Sequence, residues 1–197
     1  MRLILLLLSC LTIAHSYKIL CVFPIPSKSH NMLGKGVVHS LLKAGHEITW
    51  VTPYEDNKPQ KNLKFVYVSD VIKIIEDLDM TDMIKSQSFA LILQMGRNIS
   101  TTTAGNQQLR DILVTQQFDA VVTEWFMTDI YAGYAAVQQV PWITLFGAHI
   151  HTHLENLVDD VRSVSTVPSV MSGFPMPMNF WQRLANTASF MLFTGLT

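Results

Sequence analysis

The sequence predicts an α/β protein built on a Rossmann-like, doubly wound parallel sheet, and three observations carry that expectation. Short continuous apolar runs such as Ile19-Leu20-Cys21-Val22-Phe23 recur along the chain, as parallel strands covered on both faces require. Segments with apolar residues at helical spacing lie between them. The first of these segments completes a strand-loop-helix-strand unit, whose crossover should be right-handed.

The elements follow in order. Residues 19–23 read as the first buried strand. Pro24-Ile25-Pro26-Ser27-Lys28-Ser29 suits neither strand nor helix and is expected to be a loop. From Asn31 the period changes: Leu33, Val37 and Leu41, with Val38 and Leu42 beside them, form the apolar stripe of a helix. Gly45 is placed to stop it. Residues 46–51 make the second strand, ended by Pro53, and residues 64–68 the third. Residues 78–114 are helical in tendency, and Gly96 and Gly105 are expected to divide them into two or more helices. Residues 119–123 are a fourth strand, residues 128–139 a helix capped by Thr128, and residues 142–146 a fifth strand introduced by Pro141. Alternation of this kind argues for a doubly wound sheet. Beyond His149 the pattern weakens, with an irregular loop over 167–178 and one more apolar helix over 180–193.

A length of 197 residues, 49% of them apolar, suits a single domain with a sizeable core. The net charge of -1, with no basic stripe, speaks against a nucleic-acid partner. Arg2, the apolar run from Leu3 to Ile13 and the small residues around Ser16 have the layout of a secretory signal peptide over residues 1–16, too short to span a bilayer. Residues 17–197 are then one domain, with 155–197 as an irregular and helical extension. Cys10 leaves with the leader and Cys21 sits mid-strand, so the mature chain forms no internal disulfide. Asn98-Ile99-Ser100 is a glycosylation sequon that a lumenal route would make usable.

Open parallel sheets bind ligands outside the carboxyl ends of their strands. Two of those ends carry titratable residues: His30, where the first helix begins, and Glu124, at the end of the fourth strand. The partial positive charge of a helix N-terminus favours a neutral imidazole, which can take a proton from a hydroxyl. A carboxylate on the other ring nitrogen would orient the ring and stabilise the imidazolium as it forms. Glu124 supplies that carboxylate if its strand lies near the first. The competing reading is a loop histidine capping a helix, with Glu124 merely at a strand end.

Three segments resemble UDP-glycosyltransferases of the UDP-glucuronosyltransferase-like family, in the flavour of its animal and insect branch. They are Pro24-Ile25-Pro26-Ser27-Lys28-Ser29-His30 with the helix after it and Leu42-Lys43-Ala44-Gly45-His46-Glu47-Ile48-Thr49-Trp50-Val51-Thr52-Pro53; Phe118-Asp119-Ala120-Val121-Val122-Thr123-Glu124 with Val140-Pro141-Trp142-Ile143; and Pro175-Met176-Pro177-Met178-Asn179-Phe180-Trp181-Gln182-Arg183-Leu184-Ala185-Asn186, which is similar to the family's Met-x-Phe-x-x-Arg-x-x-Asn segment. The resemblance implies the N-terminal, acceptor-binding domain of a GT-B fold. It implies that His30 deprotonates an acceptor hydroxyl, which attacks the anomeric carbon of a UDP-sugar (UDP-glucose or UDP-glucuronate) with inversion and without a metal. An acidic partner falls at Glu124; many relatives carry Asp there, and Asp119 and Asp129 are fallback partners. Ser29, Trp125, Phe126, Met95 and His149 are expected to line the site of a small lipophilic acceptor. The family's donor domain, its signature motif and its membrane-anchoring tail have no counterpart in the 197 residues, so this chain binds no cofactor itself and is not expected to transfer sugar alone. The implied setting is the endoplasmic reticulum and the detoxification of lipophilic compounds. Acceptor, sugar and oligomeric state, a homo-oligomer included, stay open.

His149-x-His151-x-His153 puts three imidazoles on one face of an extended segment, but a pocket-rim histidine run is preferred to a metal site. Met80, Met83, Phe89, Leu91, Leu93 and Met95 read as core, as an adaptable wall for greasy acceptors, or as contact with a lumenal membrane surface. No G-x-G-x-x-G follows the first strand, and no P-loop, G-x-S-x-G or H-E-x-x-H occurs. The rival reading is a non-catalytic ligand-binding or regulatory short form. A secreted hydrolase is disfavoured by the missing nucleophile elbow.

Overall fold

The structure is a computed structural model that describes residues 16–55, 60–76, 89–147, 163–169 and 172–194. The chain divides into two compact units, Met1–Gly147 and Ala148–Thr197. Residues 1–15 of the expected leader, Met80, Met83 and the His149-x-His151-x-His153 run lie outside the described residues.

The first unit is a five-stranded, wholly parallel sheet. Its strands are β1 (Lys18–Val22), β2 (Glu47–Thr52), β3 (Leu63–Tyr67), β4 (Ala120–Glu124) and β5 (Trp142–Leu145). Their spatial order is β3-β2-β1-β4-β5. Among the described residues its helices are α1 (Lys28–Lys43), α2 (Asp70–Glu76), α3 (Phe89–Gly105), α4 (Gln107–Thr115) and α5 (Ala132–Gln138). The continuous apolar strands are explained by burial on both faces. Ile19, Cys21, Ile48, Trp50 and Val122 pack with Val38 of α1. Leu20, Val22, Val51, Val66 and Val121 pack with Val71, Met95, Ile99, Leu109 and Tyr134 from α2 to α5. Alternate residues of one strand thus enter two separate cores.

Several boundaries differ from the expected ones. Helix α1 begins at Lys28, before Asn31: Ser27 is extended at φ -128° and its carbonyl accepts the first helical bond from Asn31 N at 2.9 Å. Pro26, which has no N–H to give, ends just outside the helix. At the other end Gly45 adopts φ +93° and the expected stop is present, with Gly45 N donating to Leu42 O and His46 N to Leu41 O. Gly96 does not interrupt α3, whereas Gly105 ends it. Thr128 does not cap a helix: its hydroxyl accepts Ile130 N at 3.3 Å within a turn, and α5 starts at Ala132.

The buried Gln138 ties α5 to the linker before β4. Its Oε1 accepts Phe118 N at 2.9 Å, and its Nε2 donates to Leu113 O at 2.6 Å and Gln116 O at 3.1 Å.

The described part of the second unit is residues 163–169 and 172–194, including α6 (Phe180–Thr194). The Met-x-Phe-x-x-Arg-x-x-Asn spacing has a structural meaning here. Asn179 and Gln182 exchange backbone-to-side-chain bonds at 2.9 and 3.0 Å, a reciprocal cap on the helix start. Arg183 Nε donates to Met178 O at 2.9 Å. The buried Asn186 accepts Ser169 N at 2.7 Å and donates to Val164 O and Val167 O, clamping the preceding loop.

Candidate active site

Strand β1 lies between β2 and β4, so the chain order reverses direction between β1 and β4. At such a switch point the connections leaving the two carboxyl ends diverge to opposite faces of the sheet, and a crevice opens between them. His30 arrives there as the third residue of α1, directly after β1. Glu124 arrives as the last residue of β4, and Val22 pairs with Thr123 one step before it.

The two side chains meet. His30 Nδ1 lies 2.5 Å from Glu124 Oε1, with His30 29% and Glu124 1% exposed. The geometry fits Nδ1–H donating to a carboxylate, which fixes the ring orientation and leaves the Nε2 lone pair free to take a proton. Nε2 has no hydrogen-bond partner among the described residues. The second carboxylate oxygen, Oε2, is buried and also lacks a partner among them.

The fallback carboxylates are excluded by position. Asp119 precedes β4, at the amino-terminal end of the sheet, where its Oδ2 accepts Lys18 N at 2.7 Å. Asp129 Oδ1 accepts the indole N–H of Trp125 at 2.7 Å. Both are engaged elsewhere, and among the described residues it is Glu124 that reaches the imidazole.

The expected acceptor residues divide. Phe126 sets its ring edge-on to His30, with centroids 5.8 Å apart. Trp125 is buried with its ring 5.7 Å from that of Phe146. Ser29 is exposed beside His30, its hydroxyl 3.0 Å from that of Ser27. Met95 is 6% exposed and packs in the core with Ile99 and Leu109, because the face of α3 that carries it turns onto the sheet. His149 lies outside the described residues. Asn98 is exposed on α3, whereas Ser100 of its sequon is buried and donates to Gly96 O at 2.8 Å.

Three further features support the site. A Cβ at Gly96 would lie 2.7 Å from Phe126 O, so this glycine lets the loop after β4 rest directly on α3. A Cβ at Gly147 would lie 3.1 Å from Glu124 Oε1. Burial pushes the Tyr131 phenol up to about 12; hydrogen bonds with Ser100 and Thr103 oppose that rise and the charge of Glu124 adds to it. Among the described residues no cluster of three His, Cys, Asp or Glu side chains could hold a metal, and no helix is long and apolar enough to cross a membrane.

No family model matches the chain. It is similar to UDP-glucosyltransferase 2 of Dactylopius coccus, 27% identical over 176 residues that are 86% of this chain and 34% of that protein. It is likewise 27% identical to UDP-glycosyltransferase UGT5 of the same organism, over 96% of this chain and 38% of that protein. The chain therefore spans about a third of the length of these curated relatives. Among solved structures it is similar to apo UGT2 of Phytolacca americana (13% identity, TM-score 0.47, 90% of this chain and 44% of that one). It is also similar to LpCGTa in complex with UDP (13% identity, TM-score 0.45, again 90% and 44%). By sequence, the chain is similar to the N-terminal part of these two UDP-glycosyltransferases.

Proposed function

We propose that this chain is the acceptor-binding half of a UDP-sugar-dependent glycosyltransferase that acts on a hydroxyl of a small lipophilic molecule. One observation carries the reading: His30, backed by Glu124 at 2.5 Å, sits at the switch point with Nε2 unpartnered among the described residues. The acceptor O–H proton passes to Nε2 while the oxygen attacks the anomeric carbon. The bond from that carbon to the UDP oxygen breaks, UDP leaves with its electrons, and the configuration inverts. Glu124 holds the ring and offsets the imidazolium charge as it appears. Phe126 at the edge of His30 gives an acceptor an apolar surface. UDP-glucose or UDP-glucuronate is the co-substrate, bound by a donor domain that follows this half. Entry to the secretory pathway through residues 1–16, residence at the endoplasmic reticulum and use of the Asn98 sequon belong to the same reading.

The experiment is sugar transfer to a panel of phenols by a polypeptide that joins this chain to a UDP-sugar-binding domain, with and without His30→Ala. General-base catalysis contributes roughly 10²–10⁴-fold, so the variant should lose about that much kcat while UDP affinity is kept. Undiminished turnover in H30A would overturn the assignment.

A further inference from the structure

Among the described residues, Glu124 has few polar contacts for a buried carboxylate. Oε1 has one hydrogen bond, to His30, and Oε2 has none among the described residues. Packing must therefore set where the carboxylate rests. The packing partner is a position with no side chain: Gly147, two residues after β5, whose Leu145 pairs with Glu124. A Cβ there would stand 3.1 Å from Oε1 and 3.2 Å from Leu33 Cδ2. Both approaches are tighter than ordinary contacts between carbon atoms or between carbon and oxygen. Oε1 already sits 2.5 Å from Nδ1, so it has little freedom to yield on that side. Gly147 shows no left-handed φ, so its value is the space it leaves and not its backbone freedom.

We infer that Gly147 is a positioning residue: its missing side chain leaves the room in which a glutamate, with its full reach, meets the imidazole of His30. The inference deepens the proposed function, but its test reads the dyad itself and needs no sugar transfer. A shorter carboxylate would retract by about one C–C bond, roughly 1.5 Å, and would not meet a Cβ at position 147.

The experiment is a double-mutant cycle on the whole chain, comparing wild type, G147A, E124D and the double variant. Two readouts are taken: the His30 Nδ1–H proton resonance and the thermal melting temperature. In the Glu124 background G147A should abolish or shift the resonance upfield and lower Tm. In the E124D background the same substitution should leave the resonance unchanged and lower Tm less, because only the approach to Leu33 Cδ2 then persists. If G147A does not fold in the Glu124 background, recovery of folding by E124D gives the same answer. Equal effects of G147A in both backgrounds, or none in either, would overturn the inference. Sugar-transfer results leave this outcome untouched, so failure of the cycle and failure of the functional reading are separable.

Discussion

Replacing Glu124 by Gln keeps the volume and one acceptor oxygen of the side chain but removes its charge. The carboxylate is 1% exposed and meets Nδ1 at 2.5 Å, so solvent screens the interaction little. A hydrogen bond to a charged group contributes about 1.5–3 kcal/mol. In the proposed role the charge of Glu124 matters most as the imidazolium forms. The loss should fall on kcat and leave KM for the acceptor nearly unchanged. At tenfold per 1.36 kcal/mol, kcat drops roughly ten- to a hundredfold, less than for His30→Ala. Steady-state kinetics on the polypeptide that joins this chain to a UDP-sugar-binding domain measures it. An unchanged kcat, or a loss confined to KM, would refute the orienting and charge-offsetting role.

Two further outcomes are expected. Gly96→Ala drives a Cβ against a backbone carbonyl, Phe126 O, that cannot swing aside; overpacking costs about 1–3 kcal/mol, only partly offset by about 1 kcal/mol of helix propensity, so Tm falls, whereas Gly105→Ala, with nothing within 4 Å, should not lower it. Burial raises the Tyr131 phenol from 10.0 to about 12 and the Cys21 thiol from 9.0 to about 12. Each folded value lies above the unfolded one, so the stability these neutral groups contribute is complete below the unfolded value and is lost as pH rises toward 12. Melting temperatures should fall progressively above about pH 9, and Tyr131→Phe should make that decline shallower; an unchanged slope would contradict the assignment.

The strands and the first helix were legible because their signals are local. The apolar run at 19–23 and the stripe through Leu33, Val37 and Leu41 state their burial directly, and Gly45 marks its own turn. His30 and Glu124 were legible as candidates, since both stand where a strand ends. Their contact was not, because it depends on β1 and β4 being neighbours, which sequence order does not dictate. What sets Asp119 and Asp129 apart from Glu124 is also non-local or out of register with the strand pattern: they are bonded to Lys18 N and to the Trp125 indole. Gly96 looked like a helix breaker because its partner, Phe126 O, is distant in sequence. Gly147 carried no signal, since a glycine that makes room for another residue's side chain looks like any loop glycine. Met95 was assigned to the acceptor wall on its chemistry, but the core and the wall use the same residue types. Gln138 and Asn186 gave no sign of their burial, because polar residues enter a core only when several backbone groups await them.

The account rests on an imidazole that presents an unprotonated Nε2 to the crevice while Nδ1 gives its proton to Glu124. Long-range 1H–15N correlation of the His30 ring, recorded on the chain at mildly alkaline pH, reads the tautomer directly. The account predicts a protonated Nδ1 and a bare Nε2. A proton on Nε2 with a bare Nδ1 would contradict it.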